Sequence, residues 1–186
     1  MTEKVRCKWC LKDDLYKAYH DNEWGKPSFD DKHLFEMMIL ESFQAGLSWY
    51  TILNKRENFR TAFDFFDVKK VANYKSAKFE ELMQNAGIIR NKLKIMAAIS
   101  NAQLFISIQN EFGSYSNYMW QFTNNKTIDN VPLKHQDIAA TSIISDNMAK
   151  DLKKRGFKFM GSTVCYAYMQ SIGIVNDHII DCFTRI

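Results

Sequence analysis

Residues 145–173 read SDNMAKDLKKRGFKFMGSTVCYAYMQSIG, and this stretch decides the fold class. Ser145 to Arg155 carries a capping residue at its start and Gly156 at its end, so it is expected as a helix. Thr163 to Ile172 is a second, apolar helix, stopped by Gly173. Between them lies GFKFMGST (156–163), a short turn bounded by glycines. The first helix ends in Lys150, Lys153, Lys154 and Arg155, and Lys158 lies in the turn itself. A tight turn running into a helix N-terminus leaves backbone N–H groups free, and these favour an anion. With lysines beside them the natural ligand is a phosphate. Such a unit can grip a nucleic-acid backbone without reading its sequence. A plain corner between two helices with solvated lysines has the same pattern, and the pattern alone does not choose.

Outward from this hairpin the chain continues in helical periods. His33 to Ala45 is apolar nearly all round and is expected as a buried helix, capped by Asp30 or Asp31 and stopped at Gly46. Glu41 stands inside that apolar run. A carboxylate on a buried helix is costly unless paired or used. It is equally the pattern of a glutamate turned to solvent. Ser48 to Phe66 reads as one further helix with a basic outer face (Lys55, Arg56, Arg60). Ala77 to Ala86, Lys92 to Glu111 and Tyr115 to Phe122 complete the helical set. Residues 123–140, with Asn124, Asn125 and Pro132, are expected as a mobile connector. The whole chain, 1–186, is expected as one all-α domain, with the hairpin at about 145–173.

Composition agrees. With 46% hydrophobic and 14% aromatic residues the chain can bury a core, and two prolines and seven glycines lean towards helix. The net charge of +4 is compatible with a polyanionic partner but does not demonstrate one. The N-terminus has no apolar signal region and no run approaches a membrane span. A soluble intracellular protein without a membrane partner is expected, whose four cysteines serve as thiols or metal ligands.

The two chain ends carry matched pairs: Cys7 and His20, then His178 and Cys182. Two thiols and two imidazoles suit a closed tetrahedral zinc site. His178 and Cys182 would share one face if they lay on a helix. Cys7 and Cys10 form a competing C-x₂-C pair, and Cys182 could equally be a small buried hydrophobe. Cys165 falls in an apolar helical pattern and is expected in the core.

Five blocks in order point further: Tyr19–Gly25 (YHDNEWG), Gln44–Trp49 (QAGLSW), Ala86–Lys92 (AGIIRNK), Lys153–Phe159 (KKRGFKF) and Val175–His178 (VNDH). On these blocks the chain resembles the DNA-3-methyladenine glycosylase I family, bacterial alkylation-repair enzymes of the helix-hairpin-helix superfamily. The resemblance runs over nearly the whole length. It implies an all-α helix-hairpin-helix glycosylase in which GFKFMGST is the DNA-binding hairpin and Gly87–Lys92 a supporting turn. The hairpin departs from the superfamily form: Gly161 fits its second glycine, but Phe159 stands at the first. The resemblance also implies one structural Zn2+ per chain, held by Cys7, His20, His178 and Cys182, with Cys10 left free.

The implied reaction is hydrolysis of the N-glycosidic bond of 3-methyladenine in double-stranded DNA, releasing the free base and leaving an abasic site. The nucleotide must be flipped out of the stack. Many relatives in the superfamily use an aspartate in a Val-Asp-x-His segment, and here Asn176 takes that place. N3-methylation makes the base cationic and a good leaving group, so selective binding matters more than acid–base help. The family's pocket residues fall on Glu41, Tyr16, Tyr19 and Trp49: Glu41 as the catalytic carboxylate that orients the charged base, the aromatic residues as stacking and cation–π partners. Gly46 and Leu47 are expected to plug the gap in the stack, and Lys158, Gly161, Ser162 and Thr163 to meet the phosphates. No lysine stands out as a Schiff-base nucleophile, so no strand-cleaving activity is expected. The expected setting is a monomer in the bacterial cytoplasm. Two other classes compete. A zinc hydrolase on nucleobases would need an open metal position and the deaminase signature, which is absent. A non-enzymatic DNA-binding module leaves Glu41 among aromatics unexplained.

Overall fold

The axis of the molecule is α2 (Asp31–Gln44), in which every residue from Leu34 to Phe43 is buried. Such a helix has no solvent face and must be covered on all sides. In the computed structural model, which describes residues 4–185, α2 is packed against α3 (Trp49–Asn54), α7 (Lys92–Phe112), α8 (Tyr115–Trp120) and α10 (Ser162–Ser171). Leu34, Phe35, Met37, Met38, Ile39 and Phe43 lose all contact with water. Each such side chain contributes about 1.5–3 kcal/mol. Around this axis lie α1 (Asp14–Asn22), α4 (Arg56–Ala62), α5 (Val68–Ala72), α6 (Ser76–Gln84) and α9 (Ile143–Arg155). The strand content of the described residues is one two-residue parallel pair, β1 (Ile128–Asp129) with β2 (Val175–Asn176).

Helix starts follow the local chemistry. Asp30 caps α2 by accepting from the Lys32 N–H. Asp31 does different work: its carboxylate accepts from the backbone of Tyr115 and Ser116 at 2.9 and 2.8 Å and ties the start of α8 to α2. Ser142 and Ser145 form a reciprocal capping box, so α9 begins two residues earlier than the sequence reading placed it.

The single helix expected over 48–66 is instead three pieces. Lys55 breaks it first, sending its ammonium 3.2 Å to the carbonyls of Ala86 and Gly87. Asp64, Phe65 and Phe66 then turn left-handed, with φ of 50°, 53° and 57°, which places Phe66 in the core while Phe65 stays exposed. Nor is Arg56 on an outer face. It is buried, its Nε donating to Glu36 at 2.7 Å and its NH1 to Glu23 at 2.9 Å. The 123–140 segment is more than a connector: it supplies β1 and part of a cavity wall.

Candidate active site

The hairpin is α9, the turn 156–161 and α10. Gly156 ends α9 at φ 101°. Phe159, at the position of the expected first glycine, takes φ 56°, the left-handed conformation that glycine adopts freely and phenylalanine rarely does. Its neighbour Lys158 is clamped by Asn101 of α7. That side chain is fully buried, accepts from the Lys158 N–H at 2.9 Å and donates to the Lys158 carbonyl at 2.9 Å. Lys150, Lys153, Lys154 and Lys158 are exposed. Arg155 is engaged elsewhere, with Glu111 at 2.6 Å and Asp151 at 2.9 Å. The Ser162 hydroxyl is bonded to Asp146 and Ser145, so what this residue leaves free at the start of α10 is its backbone N–H.

Beside the hairpin lies a cavity of about 370 Å³. Tyr16, Tyr19, Glu41 and Trp49 all line it, and Thr163 reaches its wall from α10. The elements explain the convergence. Tyr16 and Tyr19 are one turn apart on α1, whose start is set by Asp13 accepting from the Tyr16 N–H at 2.9 Å. Trp49 opens α3, capped by Ser48. Glu41 comes from the last turn of α2. The Tyr19 and Trp49 rings are 5.2 Å apart, and Trp9 lies 4.9 Å from Tyr16.

Two polar atoms in this cavity are buried and meet no partner among the described residues: Glu41 Oε2 and Trp49 Nε1. An orphaned acceptor and an orphaned donor on the walls of one aromatic cavity leave two hydrogen bonds for a planar ligand to make. Glu41 is only 4% exposed. Burial pushes its carboxyl up to about 8, a rise that the neighbouring Ser171 hydroxyl opposes. Burial also raises Tyr16 to about 12, so it stays a neutral hydroxyl. Among the described residues lining the cavity there is no lysine or arginine. Its described walls are mainly aromatic faces, with one acid, Glu41, one imidazole, His135, and the amides of Gln44 and Gln170, a chemistry that suits a flat cation.

Gly46 and Leu47 form the turn between α2 and α3. Gly46 has φ 82° and Leu47 is 40% exposed. Lys94, buried on α7, donates to the carbonyls of Phe43 and Ala45 at 2.8 and 2.6 Å and so fixes the end of α2 from which the turn projects. Asn176 does not line the cavity. Its Oδ1 accepts from the His178 N–H at 3.2 Å in a local turn.

The four paired ligands meet. One donor atom each from Cys7, His20, His178 and Cys182, all buried, lie within 4.8 Å of one another. His178 and Cys182 are not on a helix. Residues 177–185 are irregular, and the two side chains converge at 3.5 Å through a turn closed by Cys182 N–H to Ile179. The donor set could hold a metal ion, because each imidazole has its second nitrogen occupied. His20 Nδ1 is 2.8 Å from Asp21, itself paired to Arg6 at 2.8 Å, and His178 Nε2 donates to the Trp24 carbonyl at 3.0 Å. Such outer bonds fix the tautomer that presents the other nitrogen to a metal. Hydrogen bonds from Cys7, His178 and His20 drive the Cys182 thiol down, towards the thiolate that ligation requires. Cys10 stays outside the set, its thiol bonded to the Cys7 carbonyl at 3.1 Å, and Cys165 is fully buried in the core. Trp24 touches both His178 and Trp9, at 4.7 and 5.0 Å, and so joins the cluster to the cavity.

The sequence reading missed Trp9, Trp24, Tyr166 and Gln170, all on the cavity wall. Trp9 sits between two cysteines and Trp24 within a quoted block, so a count of aromatics near the ligands would have flagged them. Tyr166 and Gln170 carry no local signal in an apolar helix.

A two-helix hairpin beside an aromatic cavity built around a buried acid is the architecture of the helix-hairpin-helix DNA glycosylases. The chain belongs to the methyladenine glycosylase family, whose model matches residues 9–185. It is 47% identical over 177 residues to the DNA-3-methyladenine glycosylase 1 of Escherichia coli, covering 95% of each chain. It is 44% identical over 178 residues to the DNA-3-methyladenine glycosylase of Haemophilus influenzae, covering 96% of each. A crystal structure of 3-methyladenine DNA glycosylase I superimposes with a TM-score of 0.93 at 47% identity, over 96% of this chain and 98% of that one. The Staphylococcus aureus enzyme, solved to explain its recognition of 3-methyladenine, gives 0.94 at 34% identity, over 97% and 96%.

Proposed function

We propose that this protein flips 3-methyladenine out of double-stranded DNA and hydrolyses its N-glycosidic bond, leaving free base and an abasic site. The observation that carries the reading is the Glu41 carboxylate oxygen, buried and without a partner among the described residues, in an aromatic-walled cavity that no described lysine or arginine lines. The names of the relatives, and a solved structure of a 3-methyladenine DNA glycosylase I in complex with 3-methyladenine, agree with it.

The chemistry runs as follows. In the base-free protein Glu41 holds its proton at neutral pH, because burial has raised it to about 8. A cationic base favours the carboxylate, which then bonds the amine edge of the ring. Tyr16, Tyr19 and Trp49 hold the ring by stacking and cation–π attraction. As water adds to the sugar C1′, the glycosidic electron pair passes into the base, neutralises its charge and releases it. The water proton leaves to solvent. The cation is its own good leaving group, which is consistent with an amide, Asn176, at the superfamily's aspartate position.

Leu47, exposed on a turn anchored by Lys94, is suited to fill the gap in the stack with Gly46, and backbone N–H groups of Gly161, Ser162 and Thr163, with Lys158, to hold phosphates. Cys7, His20, His178 and Cys182 would hold one structural Zn2+, which supplies a closed tetrahedral clip. The protein would work as a single-domain monomer in the bacterial cytoplasm, and without strand cleavage.

The test is chromatographic detection of free 3-methyladenine released from alkylated DNA. Wild type releases it. Glu41→Gln releases it roughly 10- to 100-fold more slowly, with affinity for undamaged DNA retained. Equal loss of both, or wild-type excision, removes Glu41 from this role. Borohydride added during turnover should trap no covalent adduct; a trapped complex would show lyase chemistry.

A further inference from the structure

Gln170 lines the same cavity, one turn of α10 from Tyr166. Its Nε2 donates to Oδ2 of Asp177 at 2.7 Å. Asp177 is 1% exposed and lies across Tyr166 from the cavity, lining a second hollow with Asn130. The same Oδ2 accepts the Tyr166 hydroxyl at 2.8 Å, and Oδ1 accepts Asn130 Nδ2 at 2.8 Å. A carboxylate with three donors on it can only accept. The Gln170 amide therefore has one orientation, with NH₂ towards Asp177 and its carbonyl Oε1 directed away. Among the described residues no donor reaches that Oε1.

Among the described residues, Gln170 Oε1 is thus a second unpartnered acceptor on a residue of the cavity wall, besides Glu41 Oε2. Two acceptors match the two hydrogens of an exocyclic amine. They mismatch a ring carbonyl, which offers no hydrogen and would leave acceptor facing acceptor. We infer that Gln170 is a specificity-determining residue whose Oε1, locked by Asp177, accepts from the 6-amino group of the base and discriminates against bases with oxygen at that position. This rests on the reading of the cavity as a methylated-base site. Asp177 is then a positioning residue, acting through Gln170.

The experiment is competitive excision from one alkylated DNA that contains both 3-methyladenine and 3-methylguanine, with the ratio of the released bases as the readout. Gln170→Met keeps the shape and removes the acceptor. It is expected to lower the adenine-to-guanine ratio roughly fivefold, with melting temperature and metal content unchanged. Asp177→Asn introduces a donor that lets the Gln170 amide turn over, and is expected to lower the ratio in the same direction. If Asp177→Asn does not fold, Gln170→Met decides alone. An unchanged ratio in Gln170→Met, or an equal loss on both bases, overturns the inference while wild-type release of 3-methyladenine still stands. A wild type that releases neither base overturns the cavity reading itself.

Discussion

Glu41 has a buried carboxylate oxygen that no described residue meets with a hydrogen bond, on a helix whose other buried residues are mostly apolar. Such a group works against stability in order to be available for binding. The unfolded chain ionises this acid near 4.5 and the folded chain near about 8. Between those values the folded state holds a proton that the unfolded state has released, so stability falls as pH rises across that window. Glu41→Gln removes the dependence. Its melting temperature should match wild type near about pH 4 and exceed it at about pH 9, by the equivalent of a few kcal/mol at most. Thermal melts across that range check this, and a variant that stays below wild type at high pH would contradict the assignment. The sequence marked Glu41 by its place in an apolar run but left open whether it faced solvent. Only the packing of α3 and α10 over α2 closes the space around it.

At the scale of elements, two glycines with the same left-handed backbone make opposite demands. Gly46, in the turn before Trp49, has φ 82° and open space where a Cβ would stand. Gly173, at the end of α10, has φ 73° and would place a Cβ 2.1 Å from the Lys26 carbonyl carbon. Gly46→Ala should therefore cost only the left-handed backbone penalty, about 1–2 kcal/mol. Gly173→Ala must also push Lys26 and Pro27 aside, which severs the contact between α10 and the segment leading into α2; a loss above ~4 kcal/mol is expected. Denaturant midpoints of the two variants test the contrast. Both glycines read alike in the sequence as helix stops. The helices α2, α7, α9 and α10 were legible for the same reason, since period and caps are local. The break of 48–66 was not, because Lys55 answers to carbonyls at 86 and 87 and the left-handed run at 64–66 serves a distant core.

Over the whole molecule, the Cys/His cluster joins residue 7 to residue 182 and sits one aromatic ring, Trp24, behind the cavity. Losing a ligand should loosen both chain ends together and, through Trp24 and Tyr19, the cavity wall. Cys7→Ala is expected to abolish binding of one equivalent of zinc and to lower the melting temperature by roughly 10 °C, with excision lost as a consequence. Cys10→Ala should keep the metal and cost about 1 kcal/mol as a small buried group. Zinc analysis with thermal melts separates the two. Full metal content in Cys7→Ala would remove Cys7 from the set. Spacing alone left Cys10 in competition with its neighbour; the geometry separates them, because Cys10 points its thiol back at the Cys7 carbonyl.

What the sequence determined by itself was whatever depends on near neighbours: the helices α2, α7, α9 and α10, the basic hairpin they include, and, through its five ordered blocks, the family. What only the tertiary structure decided was which groups are left without partners. Glu41 Oε2, Trp49 Nε1 and Gln170 Oε1 are set apart by what fails to reach them, and the lock on Gln170 comes from a residue across a wall of the cavity. Burial and hydrogen-bond satisfaction are sums over side chains far apart in the chain. No local pattern of residues can contain them.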